Sequence, residues 1–231
     1  MIRFKNFTHF SFDCYGTLID WETGILVALT PVLKRHTVDV EPECVLKLYA
    51  RFEAEQEAEP YQPYRDVLRN VTAELASELG FTPTEVDLNA LCDSVTNWPP
   101  FPDTVEALAR LKRHYRLVVI SNVDDSLFEQ TAKRLYVSFD EVITAEQVGS
   151  YKPCHRNFEF VLHRIGVPAE QVLHVAQSLY HDHRPAKALG FTTVWVNRTS
   201  RLPGIGLTLP AEVVPDLEVS DLQSLVELMG L

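Results

Sequence analysis

The chain has no apolar run long enough to cross a bilayer; its stretches are strand-sized, such as Leu117 to Ile120, far below the ~20 residues a spanning helix needs. It also lacks an N-terminal apolar segment with a small-residue cleavage site, since Met1 to Phe7 mixes basic and aromatic residues and runs into a strand. The expectation is a cytoplasmic protein with no membrane partner. Cysteine is sparse, and Cys14, Cys44, Cys92 and Cys154 form no C-x-x-C pair, so neither a zinc site nor a redox motif is written and reduced thiols are expected. Positive charge is in short supply as well: 21 Lys and Arg face 32 Asp and Glu, a net charge of -11, which disfavours nucleic acid as a partner. Small anions are a separate matter, because a site's field is set by its nearest charges, and Arg51, Lys152 or Arg184 can form an anion pocket inside an acidic protein.

What is present suits one globular enzyme. The 231 residues are 46% hydrophobic and 23% charged, with mean hydropathy near zero. That is enough to bury a sizeable core, as one large domain or as a core with a smaller insertion. Two textures follow one another. Thr8 to Asp13 reads as a short buried strand, and about Trp21 to Val95 then turns helical by its spacing. Within that block Val45, Leu48 and Phe52 recur at helical steps in Glu41 to Glu59, as do Val67, Val71 and Leu75 in Tyr64 to Leu79. The run Asn97 to Pro102 carries three prolines, which no helix can pass, and reads as a hinge.

After the hinge, helix and strand alternate. Helices are expected over Asp103 to His114, Ser126 to Leu135, Asn157 to Ile165, Pro185 to Leu189 and Asp221 to Met229, and strands over Leu117 to Ser121, Glu141 to Thr144, Val172 to Val175 and Thr192 to Val196. Such alternation predicts a parallel sheet covered by helices on both faces, joined by the first strand. Ligands bind such sheets at the carboxyl ends of the strands.

Polar clusters stand at those ends in order. Asp13-Cys14-Tyr15-Gly16-Thr17 offers a carboxylate on a glycine turn, either a nucleophile loop or an ordinary Asp-capped turn. Ser121-Asn122 can bind an anionic oxygen or a leaving group, or simply cap a helix. Lys152, in Gly149 to Pro153, can pair with Asp13 or stay solvated. In Ala176 to Asp182, Asp182 can position water or cap the helix that Pro185 helps to start. His181 and His183 flank it, as a base, a metal ligand or surface groups. Trp21, Glu22 and Trp98 fall where the helical block meets the rest, as a pocket wall or as packing.

These four clusters, in this order and spacing, resemble the four motifs of the haloacid dehalogenase superfamily across essentially the whole chain. The resemblance implies an α/β fold: a Rossmann-like doubly wound parallel-sheet core over 1–18 and 99–231, with a helical cap, 19–98, inserted after the first strand. Phosphatases of the superfamily carry a second Asp two residues after the nucleophile and hold magnesium with acidic groups of the fourth motif. Here those places read Tyr15 and Ala176-Gln177, so no metal and no cofactor is expected. The D-x-Y-G-T form instead resembles the 2-haloacid dehalogenases, which implies that Asp13 displaces a substituent at the substrate's second carbon, forming an ester that water then opens. On that resemblance the catalytic residues are Asp13, Thr17, Lys152 and Asp182. Thr17 and Lys152 hold Asp13, and Asp182 orients the water. Substrate binding falls to Tyr15, Trp21, Arg51, Ser121, Asn122 and Ser178, with Asn122 facing the leaving group and Arg51, or its rival Arg65, serving as the cap arginine.

The implied partner is a small anionic organic acid, and a homodimer is left open. Departures stand beside the match: Phe158 replaces a tyrosine, and Gln177 to Asp182 lacks an asparagine of the dehalogenase motif. The segments D-C-Y-G-T-L-I-D-W-E-T-G and S-L-Y-H-D-H also resemble a branch whose hydrolases open azetidine-2-carboxylate. That reading and a magnesium-dependent phosphatase are the alternatives carried forward, together with a non-catalytic binding protein, which Asp13 disfavours.

Overall fold

The apolar run His9–Phe12 (β1) is buried along its whole length, as a strand must be at the centre of a sheet covered on both faces. In the computed structural model, which describes residues 2–58, 60–198 and 209–231, β1 pairs in parallel with Arg116–Ser121 (β2) on one side and Val172–Ala176 (β4) on the other. Glu141–Thr144 (β3) extends the sheet beyond β2, and Thr192–Val196 (β5) and Leu217–Val219 (β6) extend it beyond β4, giving the order β3-β2-β1-β4-β5-β6. Register aligns Phe12 with both Val119 and Val175. The carboxyl ends of β1, β2 and β4 therefore lie side by side at the point where strand order reverses, where doubly wound sheets bind ligands.

Side-chain alternation along each strand divides the interior in two. Leu117 and Val119 join Phe10 and Phe12 in one core, while Val118 and Ile120 join Phe158, Val161 and Ala186 in another on the opposite face. After β1 the chain forms α1 (Trp21–Arg35), α2 (Pro42–Ala58), α3 (Tyr64–Glu78) and α4 (Glu85–Ser94) as an insertion, and a fifth helix, Thr104–Lys112, then leads into β2. Their buried faces, including Val67, Val71 and Leu75 of α3, belong to the first core. The insertion is fastened by hydrogen bonds as well: Asp20 N–H donates to Pro99 O at 2.8 Å. Asp124, after β2, accepts from the backbone N–H of Tyr64 and Arg65 at 2.8 and 3.0 Å, satisfying two of the orphan donors that open α3.

The strands and helices lie close to their expected bounds, and the hinge separates the short 3₁₀ turn Val95–Asn97 from the next helix at Thr104. Some features differ, among them a four-residue helix, Ala145–Val148, between β3 and the next expected helix. The edge strand β6 was not anticipated, being a three-residue pairing after a long connection. Leu179–His183 winds as a single π-helical turn capped by Ser178, which accepts from His181 N–H, so Asp182 caps nothing and is left to the site. Met1, Glu59 and residues 199–208, which the expected bounds include, lie outside the described residues. No helix among the described residues is long and apolar enough to cross a membrane.

Candidate active site

Asp13 follows directly on β1, and the loop after it is shaped by Gly16, whose φ of +94° suits glycine and whose missing Cβ leaves room for Trp21 Nε1, which would stand 3.1 Å from it. One turn on, Thr17 Oγ1 accepts from the backbone N–H of Gln177 at 2.9 Å and donates to Asp13 Oδ2 at 2.6 Å. The Gln177 bond takes an acceptor lobe of the hydroxyl and leaves its proton for the carboxylate. On the other oxygen, Lys152 Nζ donates to Asp13 Oδ1 at 2.8 Å, and its remaining protons go to Asp182 Oδ1 at 2.8 Å and Ile120 O at 2.9 Å. Lys152 is 2% exposed; it is no solvated surface lysine. Burial acts to lower its pKa, but Asp13 and Asp182 outweigh it and hold the ammonium above its usual range.

The carboxylates answer to the same balance. Burial pushes Asp13 up, opposed by the charge of Lys152 and the hydrogen bonds from Lys152 and Thr17. Burial acts on Asp182 likewise, but Lys152 and His174 together hold it well below the carboxylate range. His174, fully buried within β4, reaches Asp182 Oδ1 with Nε2 at 3.1 Å and Ser11 Oγ with Nδ1 at 2.9 Å. Asp182 Oδ2 is buried with no hydrogen-bond partner among the described residues. Phe158 packs edge-on against His174, its ring centroid 5.2 Å away.

Over this row of groups lies a cavity of about 70 Å³, walled by Asp13, Lys152, Asn122, Ser178, His181 and Asp182 below and by the helical insertion above. That volume suits a ligand of a few heavy atoms. Tyr15, Trp21, Tyr64 and Trp98 give it aromatic sides. The Tyr15 hydroxyl is held by Thr131 Oγ1 at 2.8 Å, and its ring meets Trp98 edge-on at 5.6 Å. Asn122 locks the Lys152 loop, accepting from Lys152 N–H at 2.7 Å and donating to Lys152 O at 3.1 Å. Its second amide proton goes to Glu57 Oε2 at 3.0 Å.

Arg51 is a correction to the expected substrate-binding set. Arg51 lies over the Phe52 ring and pairs with Glu78 at 3.2 Å, its side chain 48% exposed. The cause is helical phase. Ala50, Glu53, Ala54 and Glu57 share the cavity face of α2, and Arg51, one position after Ala50, is turned roughly 100° off that face. Arg65 is exposed too and does not line the cavity. Ser121 is buried without a partner for its hydroxyl among the described residues, off the cavity wall. His183 is tied to Ala176 O by Nε2 at 2.9 Å, away from the cavity, whereas His181 lines it, with its pKa lowered by burial to about 4. Sequence reasoning missed Glu53, Glu57 and His174.

A divalent cation does not fit this donor set. Lys152 Nζ stands between the two carboxylates that would bind it, and among the described residues no group of three or more His, Cys, Asp or Glu side chains is placed to hold a metal.

Fold and site together define a doubly wound α/β protein of the kind that carries a buried carboxylate at the end of its central strand. The model of the haloacid dehalogenase-like hydrolases matches residues 7–190, and the chain belongs to that family. It is 30% identical over 207 residues to an (S)-2-haloacid dehalogenase of Pseudomonas fluorescens, covering 84% of this chain and 86% of that one. It is 32% identical over 135 residues, 56% of each chain, to a glyceraldehyde 3-phosphate phosphatase of Methanocaldococcus jannaschii. Its fold superposes with a TM-score of 0.82 on an L-2-haloacid dehalogenase of Xanthobacter autotrophicus holding covalently bound chloropropionic acid, at 22% identity, covering 97% of this chain and 98% of that one.

Proposed function

We propose that this hydrolase cleaves the bond between the second carbon of a small carboxylic acid and its substituent through an ester on Asp13, the 2-haloacids being the class to test first. The observation that carries the reading is the environment of Asp13: a buried carboxylate at a strand end, gripped by Thr17 and Lys152 and opening on a small cavity. In the first step an Asp13 oxygen bonds to the second carbon from the side opposite the substituent, which leaves with the bonding pair. Configuration inverts. In the second step water attacks the ester carbonyl, the acyl C–O bond breaks, and the 2-hydroxy acid departs while Asp13 regains a carboxylate. Asp182 Oδ2 is the acceptor for the water's proton. Trp21 lines the cavity, and its indole N–H, which donates to no described residue, is the side-chain donor for the substrate carboxylate.

The division into a core, 1–18 and 99–231, and a cap, 19–98, belongs to this proposal, with the helical insertion excluding water from the ester. So does a cytoplasmic location. The phosphatase reading is disfavoured by Tyr15, whose hydroxyl is held by Thr131 and whose pKa is raised well above that of a carboxylic acid by burial. The test is a panel assay with EDTA present, comparing chloride release from 2-chloropropionate, opening of azetidine-2-carboxylate and phosphate release from esters, with Asp13→Asn as control. Turnover of a 2-substituted acid that needs Asp13 and survives the chelator is expected. Phosphate release that disappears on chelation and returns with magnesium overturns the proposal.

A further inference from the structure

The cavity described above is short of cations. Asp13, Asp182, Glu53 and Glu57 all line it, and Lys152 is the one Lys or Arg among the described residues that does so. It is also short of donors. Lys152 uses its three protons on Asp13, Asp182 and Ile120 O, and Asn122 uses both amide protons on Glu57 and Lys152 O. Glu53 Oε1 accepts from Tyr49 and Tyr64 hydroxyls at 2.7 and 2.6 Å. Glu57, its side chain 7% exposed, has His181 3.9 Å away, an imidazole that burial keeps neutral at pH 7, and feels the charge of Lys152, whose protons are already committed to Asp13, Asp182 and Ile120 O. Apart from the Trp21 indole N–H, a ligand entering here meets mostly acceptors.

We infer that Glu53 and Glu57 form an anionic subsite for a protonated amine, so that the substrate is a small 2-substituted acid that also carries an ammonium group. This rests on the reading of Asp13 as attacking the second carbon, and adds to it the class of acid. Three observations carry it. Glu53 and Glu57 sit one helical turn apart on the cavity face of α2, positioned by two tyrosines and an asparagine. Asp182, 1% exposed, lines the same cavity, and its Oδ2 has no hydrogen-bond partner among the described residues, which leaves a further acceptor in the site. The aromatic sides supplied by Tyr15, Trp21, Tyr64 and Trp98 enclose the cavity, where a charge pair shielded from water is worth more than at the surface. Asn122, the amide at the end of β2, faces Glu57 rather than an open corner, so a simple anion there meets a carboxylate. In the absence of a cation, burial pushes both glutamates up from the carboxylate range, and each adds to the cost of ionising its neighbour or Asp13. An ammonium between them removes that cost.

The test uses ligands of equal size that differ in charge. Isothermal titration of the full chain with 3-aminopropanoate and with butanoate, which exchange a terminal ammonium for a methyl group, reads the subsite without any chemistry. The wild type is expected to bind the amine about tenfold more tightly or better, as a charge-assisted pair permits. Glu53→Gln combined with Glu57→Gln should shrink that preference to near unity, with melting temperatures confirming the fold. Equal binding by the wild type, or a preference for butanoate, overturns the inference and needs no variant to do so. Chloride release is then compared for 3-amino-2-chloropropanoate and 2-chlorobutanoate. Higher kcat/KM for the amine supports the subsite; equal values overturn it while leaving displacement by Asp13 standing. Preferential amine binding with no chloride from either compound supports the subsite and counts against the displacement.

Discussion

Lys152 Nζ stands 2.8 Å from Asp13 Oδ1 with its other two protons fixed on Asp182 and Ile120 O, so one ammonium both neutralises and positions the carboxylates on either side of it. Lys152→Met should therefore be more than a loss of activity. It leaves two buried carboxylates facing each other, and breaking such a pair costs about 3–5 kcal/mol. Lys152→Arg keeps the charge, but a planar guanidinium cannot direct three donors as a tripod does. It should restore part of the stability while turnover remains down by about a hundredfold. Urea unfolding and steady-state kinetics on the two variants check this; equal stability of Lys152→Met and wild type would show that the carboxylates need no buried counter-charge.

The wall of the cavity rests on a close approach. A Cβ added at Gly24, in α1, would stand 2.3 Å from ring atoms of Trp98, and Trp98 is 2% exposed, so the indole cannot swing into solvent. Gly24→Ala gains roughly 1 kcal/mol of helix propensity against an overpacking cost of about 1–3 kcal/mol. The clash should win, lowering Tm, and because Trp98 lines the cavity KM should rise more than kcat falls. A Tm raised by the substitution would contradict the packing described.

What could be read in the chain, and what could not, divides along a physical line. Asp13, Thr17, Lys152 and Asp182 were legible because each stands in a loop where the alternation of strand and helix delivers it to one edge of the sheet. Glu53 and Glu57 were not, since an acidic stretch such as Phe52 to Glu59 reads as a solvated helix face until rotation about α2 is known. Arg51 came from the resemblance to a cap arginine, and the same rotation of α2 turns it to Glu78 instead. His174 was hidden in an apolar strand, where a single histidine carries no periodic signal. Asp124 stands at the N-cap position of the helix Asp125–Leu135 without capping it by its side chain; its carboxylate accepts from α3 instead, a contact between segments far apart in the chain that no local pattern announces.

Stability should fall in mild acid through His183. Its buried imidazole is bound to Ala176 O and its pKa is lowered by burial from 6.5 to about 4. The unfolded chain therefore binds a proton at this residue below about pH 6.5, while the folded chain does not until about pH 4. The contribution is complete above the upper value and is lost progressively between the two, reaching roughly 3 kcal/mol at 1.36 kcal/mol per pKa unit. His183→Gln should flatten the dependence of the urea midpoint on pH between 6.5 and 4. An unchanged slope would place the acid sensitivity elsewhere, His181 being the next group to examine.

The two halves of the reaction should separate at Asp182. Displacement at carbon needs the nucleophile and the groups that hold it, Thr17 and Lys152, whereas hydrolysis of the ester needs a water held and polarised by a carboxylate. Asp182 Oδ1 is already taken by Lys152 and His174, and Oδ2 is the oxygen left to accept from water. In Asp182→Asn an amide takes the place of that acceptor, so the second step should slow far more than the first and the ester should accumulate. Mass spectrometry of the variant mixed with substrate should then find added mass on the peptide containing Asp13. In a single turnover of the wild type in oxygen-18 water, the heavy oxygen should enter Asp13, because water attacks the ester carbonyl and the product departs with an oxygen from the enzyme. Label found only in the product after that one turnover would mean that water attacks the substrate directly, with Asp13 serving as its base and no ester formed.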